Sequence, residues 1–228
     1  ALTAPVDGVR PGEMGVGAGI VFDSDPADEF AECKLKARFL TGLSNDFELF
    51  ETMRAGSSHL PLHLARLEQS AAYFGFAFDR TAAEKLVAAE AQGGEARRVR
   101  LALRQDGALS VQSAPLAPLQ EPVALLLADD ATQSDDLFLR HKTSVRTRYD
   151  AAWRSAEAQG AFDTLFFNER GELTEGGRCN VFVELDGSWY TPPLGSGVLP
   201  GVMRSVLLAD AEWDAAERVI TRDLLARA

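Results

Sequence analysis

Two Asp-Gly dipeptides constrain the fold of this chain more than any other sequence feature. Asp106-Gly107 and Asp186-Gly187 have the composition of the tight turns that join neighbouring antiparallel strands. The strands that they predict comprise residues 97–104, 108–112, 180–185 and 188–191. Because such hairpins outnumber the strand–helix–strand units of a parallel sheet, we expect an α+β fold with mixed or antiparallel sheets.

Apolar periodicity and turn residues divide the rest of the chain into further elements. Asp25 is a candidate N-cap, with Pro26 at the first helical position. Three prolines in residues 114–122 mark the best candidate for a boundary between two lobes. Strands are also predicted at 17–22, 47–54, 123–127 and 163–167, and helices at 26–40, 62–74, 81–91, 145–159 and 200–210.

Composition excludes several classes of protein. With 228 residues, 46% of them hydrophobic, the chain can bury a core without disulfides. Its two cysteines, Cys33 and Cys179, are far apart, which argues against a zinc site and favours a reducing, cytoplasmic setting. The net charge of −11 argues against nucleic acids and anionic membranes as partners. No membrane span is expected, because no run of about 18 apolar residues occurs. No signal peptide is expected either, because the N-terminus has no basic segment followed by an apolar stretch.

The first forty residues contain glycines and glutamates that could bind an anion and a cation. Residues 15–19 are glycine-dense but lead into a predicted strand, so they are not a dinucleotide-binding fingerprint. They form either a tight turn or a backbone surface open to an anionic ligand. Glu29 and Glu32 share one helix face, as Mg²⁺ ligands could, although the helix dipole alone also favours acidic residues in a first turn.

The second half contains a lysine, a glutamate and a glycine-rich loop that are candidates for catalysis or ligand binding. Lys142 follows the apolar residues 137–139, and a lysine that forms Schiff bases needs such a desolvated site; the alternative is a surface lysine. Glu175 precedes two glycines, and a turn there would present a carboxylate to a pyridinium nitrogen. Residues 191–204 form a glycine-rich loop that leads into the start of a predicted helix, an arrangement that suits a phosphate. The alternative is a plain loop with Pro200 at the first helical position.

Together with residues 47–54 and 63–67, these segments resemble the fold type IV pyridoxal-phosphate enzymes over about residues 46–212. That family includes aminodeoxychorismate lyase, branched-chain aminotransferase and D-amino acid aminotransferase. The resemblance implies a two-lobed α+β fold and pyridoxal 5'-phosphate as cofactor. It also implies that Lys142 forms the Schiff base, Glu175 pairs with the pyridine nitrogen and Arg66 binds the phosphate. The remaining candidates are the backbone N–H groups of Val202 and Met203 for the phosphate, Asn180 for the cofactor loop, Thr52 for proton transfer and Arg100 for a substrate carboxylate.

Residues 15–37 resemble another family, the C-terminal end of chorismate-utilising synthases. There, the backbone of a Gly-Ala-Gly segment faces a chorismate carboxylate and two glutamates help to hold Mg²⁺. The resemblance assigns these roles to residues 17–19, Glu29 and Glu32. Because the rest of the synthase domain is not in this chain, we expect this metal site to be non-functional here.

A synthase tail followed by a type IV domain resembles the bifunctional para-aminobenzoate synthases of folate biosynthesis. It implies a lyase that removes pyruvate from 4-amino-4-deoxychorismate; the alternatives are a branched-chain or D-amino acid transaminase and a non-catalytic module. A homodimer is expected, with a glutamine amidotransferase as partner of the full-length synthase. The expected domains are a synthase remnant at 1–45, a small lobe at 46–118 and a cofactor-binding lobe at 119–228 that lacks the family's C-terminal end.

Overall fold

The structure is a computed structural model that describes residues 15–17, 25–41, 46–91 and 96–228. Contacts between Cα atoms divide the chain into two compact units, residues 1–46 and 47–228. The predicted features that lie outside the described residues are most of the strand at 17–22, most of the linker at 41–45 and the Gly93-Gly94 end of a helix.

The described part of the first unit contains one helix, α1 (Pro26–Thr41). It begins where the sequence predicted, because Asp25 Oδ1 accepts hydrogen bonds from the backbone N–H groups of Ala27 (2.8 Å) and Asp28 (3.2 Å). The side-chain oxygen therefore satisfies donors that have no acceptor within the helix, which confirms Asp25 as the N-cap.

The second unit alternates short strands with helices and 3₁₀ turns. Its strands are β1 (Leu49–Arg54), β2 (Arg97–Leu103), β3 (Leu109–Pro115), β4 (Leu125–Leu127), β5 (Asp163–Phe167), β6 (Leu173–Gly176), β7 (Val183–Leu185), β8 (Ser188–Thr191) and β9 (Ala216–Glu217). Its helices are α2 (Leu60–Phe74), α3 (Arg80–Ala89), α4 (Thr147–Ala158), α5 (Val202–Ala209) and α6 (Arg222–Leu225), and its 3₁₀ turns are Leu137–Leu139 and Leu194–Ser196. In the described parts of the chain, no helix has the length and hydropathy needed to cross a membrane.

The first sheet is antiparallel, with the order β1-β2-β3. The predicted Asp-Gly turn joins β2 to β3: Gly107 has a φ of +89°, and its N–H donates to the carbonyl oxygen of Arg104 at 3.0 Å. Helix α2 lies against this sheet and ends at Gly75, which takes the left-handed conformation that glycine adopts without strain. The apolar face of α2, with Leu64 and Leu67, forms one core with Leu101 and the other inward residues of the sheet.

An aromatic cluster connects this core to the chain that follows β4. The Phe47 ring lies 5.1 Å from that of Phe74 and 5.7 Å from that of Phe138, in edge-to-face contacts. Immediately after Phe138, the backbone runs beside the start of β1, where the Phe50 N–H donates to the Lys142 carbonyl oxygen at 3.0 Å. This pairing places Lys142 at the edge of the first sheet.

Two further three-stranded sheets, β4-β5-β6 and β7-β8-β9, complete the unit. Strands β4 and β5 are parallel and β5 and β6 are antiparallel, so the sheet is mixed. The second predicted Asp-Gly turn is also confirmed, because Asp186 (φ 53°) and Gly187 (φ 80°) join β7 to β8. A separate core lies here, formed by Leu165, Phe167, Leu173, Val183, Leu185 and Ile220.

Strand β6 was not predicted, because a turn was expected at Glu175 and the two glycines after it, whereas the strand continues to Gly176. Three of the four residues in Leu173–Gly176 are polar or glycine, yet all four are buried. Thr174 donates its hydroxyl to the Phe166 carbonyl oxygen (3.1 Å), and Glu175 accepts hydrogen bonds from other segments. Hydrogen bonding satisfies these buried groups, so the strand carries no apolar alternation by which it could be recognised. Strand β7 also begins at Val183 rather than at Asn180.

Candidate active site

A cavity of about 680 Å³ opens within the second unit, between the first sheet, the chain before α4 and the loop before α5. All the residues that the type IV resemblance assigns to the cofactor or to proton transfer contribute to its wall. These are Thr52, Arg66, Lys142, Glu175, Asn180, Val202 and Met203. Residues far apart in the sequence are therefore brought together around one space.

Lys142 is half-buried in this wall, with its backbone anchored to β1. Its Nζ lies 4.9 Å from the centroid of the Phe50 ring. Burial lowers the pKa of Lys142 to about 8, and the positive charge of Arg66 adds to this effect. A substantial fraction of the amine is consequently neutral near physiological pH, as nucleophilic and basic lysines require.

Glu175 is a buried carboxylate on β6. Its Oε2 accepts hydrogen bonds from the backbone N–H of Leu199 (3.1 Å) and from Nδ2 of Asn180 (3.2 Å). Burial raises the pKa of Glu175 to about 7, although the Leu199 hydrogen bond and the Lys142 charge oppose the shift. A cationic partner in the cavity would therefore stabilise its ionised form.

Asn180 links Glu175 to the loop that precedes α5. Its Nδ2 also donates to the Leu199 carbonyl oxygen at 3.0 Å. On the other side of the amide, a Cβ at Gly201 would lie only 1.8 Å from Asn180 Oδ1. Only glycine allows the backbone to approach this amide so closely.

Arg66, on α2, connects the first sheet to the same loop. Its NH1 donates to the Pro200 carbonyl oxygen at 2.9 Å, while its Nε and NH2 donate to the two oxygens of Glu51. Gly201 is the N-cap residue of α5, so the guanidinium lies beside the start of that helix. The first N–H groups of a helix have no intrahelical acceptor, and with Arg66 they form a set of donors suited to an anion.

The structure does not bring Arg100 into the cavity wall. Arg100 is opposite Thr52 in the register of β1 and β2 and shares its face of the sheet. Its guanidinium lies 4.5 Å from the centroid of the Phe50 ring and forms an ion pair with Glu48 at 3.1 Å. Phe50 therefore lies within contact distance of both Arg100 and Lys142.

The sequence pattern did not identify Tyr149, which lines the cavity, or Glu51, which contacts Arg66 from the core side. Tyr149 lines the cavity, and its buried hydroxyl has no hydrogen-bond partner in the part of the chain that the structure describes. Burial, with the Glu175 charge, raises the pKa of Tyr149, so the group stays protonated as a donor. The detectable signal for Glu51 was a charged residue on the apolar face of a predicted strand, before a helix with His63 and Arg66.

In the first unit, Glu29 and Glu32 lie on α1 as predicted. Glu32 forms an ion pair with Lys36, the next residue along the same helix face, at 2.7 Å. Among the described residues, no cluster of three or more His, Cys, Asp or Glu side chains could hold a metal ion.

Comparison with known proteins finds similar proteins that carry lyase names and others that carry aminotransferase names. A Schizosaccharomyces pombe protein provisionally named aminodeoxychorismate lyase is 32% identical over 155 residues, which cover 65% of this chain and 67% of that protein. A Thermotoga maritima protein provisionally named branched-chain-amino-acid aminotransferase is 26% identical over 205 residues, covering 81% and 75% of the two chains. The crystal structure of a Mesorhizobium loti protein, provisionally named amino-acid aminotransferase, is 41% identical with a TM-score of 0.73 and covers 80% of this chain and 91% of its own.

Family models match both parts of the chain. Residues 4–42 match the model described as chorismate binding enzyme. Residues 47–228 match the model described as amino-transferase class IV, which confirms the predicted fold class. The match spans most of the chain and includes every residue that lines the cavity, so the chain belongs to the class IV amino-transferase family.

Proposed function

We propose that this chain is a 4-amino-4-deoxychorismate lyase that forms para-aminobenzoate and pyruvate with bound pyridoxal 5'-phosphate. The observation that carries the proposal is the order of the two family matches, a chorismate-binding segment at 4–42 followed by a class IV domain at 47–228. A segment of a chorismate-using enzyme favours a chorismate-derived substrate over a free amino acid. The Schizosaccharomyces pombe relative supports the same reaction.

The cavity suits pyridoxal phosphate in its chemistry. A lysine with a lowered pKa, a buried carboxylate and an arginine beside a helix start are present in one wall, as the aldehyde, ring nitrogen and phosphate of that cofactor require. The buried Tyr149 hydroxyl needs an acceptor that a bound ligand would supply. We assign Lys142 to the covalent bond, Glu175 to the ring nitrogen, and Arg66 with the Val202 and Met203 N–H groups to the phosphate.

When bound, the cofactor supplies an electron sink for the substrate carbon that carries the nitrogen. With its amine released from the cofactor by the substrate amine, Lys142 Nζ would take the proton from that carbon, and Glu175 would hold the pyridine nitrogen in its protonated form. The carbon–oxygen bond to the enolpyruvyl group then breaks, the substrate ring becomes aromatic, and the departing group takes up a proton to form pyruvate. Thr52, which lines the cavity, is assigned to that last proton transfer. The reaction consumes neither water nor a second substrate.

The remaining assignments stay predictions. They are Arg100 as a contact for a substrate carboxylate, Mg²⁺ at Glu29 and Glu32 in a complete synthase domain, the domain boundaries near 45 and 118, a homodimer, and a glutamine amidotransferase partner.

A transaminase is the second candidate, because the Mesorhizobium loti and Thermotoga maritima relatives carry aminotransferase names. A half-reaction distinguishes the two activities. The protein is loaded with pyridoxamine 5'-phosphate and mixed with 2-oxoglutarate or a branched-chain 2-oxo acid, and the absorbance of the regenerated cofactor aldehyde is followed. We expect negligible conversion. Conversion within seconds would favour the transaminase, and failure to bind either cofactor form would favour a non-catalytic module.

A further inference from the structure

Glu51 is a charged residue in the middle of a hydrophobic surface. It lies on the face of β1 that packs against α2, between Leu49 and Met53, which both belong to the core. No part of Glu51 is exposed to solvent. Because an unpaired buried charge is strongly destabilising, a carboxylate at this position requires partners that neutralise it.

Helix α2 supplies both partners from one face. Arg66 donates Nε–H to Glu51 Oε1 at 2.8 Å and NH2 to Oε2 at 2.5 Å, which is a bidentate pair. His63 Nδ1 lies 2.7 Å from Oε2 and is the donor, since an ionised carboxylate only accepts. Burial by itself would raise the pKa of Glu51, but the hydrogen bonds from His63 and Arg66 hold it below its ordinary value.

These contacts determine where Arg66 can point. Its Nε and NH2 are held by Glu51, and its NH1 is held by the Pro200 carbonyl oxygen. With three contacts, the planar guanidinium has one orientation. Each terminal nitrogen keeps one further N–H group, and NH1 lies at the start of α5, where it contacts the Pro200 carbonyl oxygen next to the N-cap residue Gly201. The donors that remain are thus presented beside the helix N-terminus, in the cavity wall.

We propose that Glu51 is a positioning residue for the cofactor phosphate and acts by holding Arg66 in its binding orientation. This inference rests on the proposed function, since it takes the ligand of the cavity to be pyridoxal phosphate. Glu51 itself faces the core and not the cavity. His63 supports the same arrangement by holding Oε2 of the carboxylate.

Simple electrostatics predicts the opposite effect of removing Glu51. Loss of a negative charge near the phosphate would strengthen anion binding. That charge, however, is already compensated by Arg66 and by the His63 hydrogen bond. We therefore expect the loss of orientation to dominate, so that a neutral residue at position 51 weakens phosphate binding.

The test compares pyridoxal phosphate with pyridoxal, which lacks the phosphate. Cofactor-free wild type, Glu51→Gln and the control Glu68→Gln are titrated with each compound, and the absorbance of the covalent adduct is recorded. Glu68 is an exposed α2 residue whose only described ion pair is with Arg80, at 3.0 Å. For Glu51→Gln we expect the Kd of pyridoxal phosphate to rise by about tenfold or more, because charged hydrogen bonds are affected, with that of pyridoxal unchanged. Glu68→Gln should change neither.

Unchanged or tighter binding of pyridoxal phosphate by Glu51→Gln, or an equal loss for both compounds, would overturn the proposal. If circular dichroism shows that Glu51→Gln does not fold, His63→Gln replaces it, because this variant keeps the bidentate pair. It should also show a smaller loss that is selective for the phosphate compound, and absence of that selectivity contradicts the proposal. If wild type binds neither compound, the proposed function itself is overturned. If wild type binds normally and Glu51→Gln binds equally well, only the role of Glu51 is overturned.

Discussion

The carboxyl group of Glu175 and the amino group of Lys142 line one cavity, and their pKa values are shifted towards each other, to about 7 and about 8. Burial causes both shifts, because it disfavours the charged form of either group. Each charge partly opposes the shift of the other. Two groups that change protonation near neutral pH are therefore available for proton transfer in one cavity.

We expect Glu175→Gln to lower turnover far more than cofactor binding. The amide has the size of the carboxylate and can still accept the Leu199 hydrogen bond, but it cannot stabilise a protonated ring nitrogen. A decrease in kcat of about 100-fold or more is expected, in the range that positioned proton transfer contributes. Cofactor content is measured by absorbance in the same samples. Near-normal turnover with bound cofactor would show that another residue maintains the ring protonation.

The pH dependence of stability should reveal the buried carboxyl group in the cofactor-free protein. The pKa of Glu175 is raised in the folded state, so its stabilising effect is complete below the unfolded value and is lost as pH rises through about 7. Between pH 5.5 and 7.5, wild type should lose about 2 kcal/mol of unfolding free energy relative to Glu175→Gln. Urea unfolding of both proteins at the two pH values measures this difference. Parallel pH profiles would exclude the shift.

Gly201→Ala should disrupt the contact between the loop before α5 and Asn180. The new methyl group would occupy the position of Asn180 Oδ1, so the amide must move and lose its hydrogen bonds to Glu175 and Leu199. We expect a loss of about 1–3 kcal/mol in unfolding free energy and weaker cofactor binding. Gly195→Ala is the matched control, because a Cβ there meets nothing within 4 Å.

The double variant Gly201→Ala/Asn180→Ala separates steric conflict from a general effect on the loop. Removal of the amide creates space for the new methyl group, so the double variant should lose less stability than the sum of the two single variants. Strict additivity in urea unfolding would mean that the close approach does not determine the effect of Gly201→Ala.

Local chemistry made part of this molecule predictable. Positive φ values occur at Gly107 in the Asp106-Gly107 turn and at both Asp186 and Gly187 in the other, because glycine and short polar side chains tolerate that conformation. Lys142 and Glu175 could be proposed because their neighbours in the chain, an apolar run and two glycines, suit their chemistry. That both residues line one cavity could be expected from the type IV resemblance but not from any local sequence pattern.

What could not be predicted depends on contacts between distant segments. Strand β6 is buried although most of its residues are polar or glycine, and hydrogen bonds satisfy its polar groups. Hydrophobic periodicity therefore does not indicate a strand there. The burial of the Glu51 carboxylate is explained only by the tertiary structure, in which α2 brings His63 and Arg66 to it. Tyr149 lies on α4, and only the tertiary structure shows that its hydroxyl is buried at the cavity without a partner among the described residues.

Lys142 should carry the cofactor. Borohydride reduction of the protein loaded with pyridoxal phosphate, followed by peptide mapping, should place the adduct on Lys142, because burial lowers its pKa to about 8. Lys142→Ala should bind the cofactor without forming the reducible bond. Among the described lysines, Lys34, Lys36 and Lys85 serve as internal controls in the same digest. An adduct on one of them would refute the assignment.

The most direct test of the proposed lyase activity is the product balance of the purified protein with 4-amino-4-deoxychorismate. Pyridoxal phosphate is supplied and every 2-oxo acid is omitted, and para-aminobenzoate and pyruvate are quantified by chromatography. We expect both products to form in equal amounts over many turnovers, and Lys142→Ala to form neither above the uncatalysed rate. Absence of para-aminobenzoate from a protein that carries the cofactor and transfers amino groups from amino acids to 2-oxo acids would contradict the proposed activity.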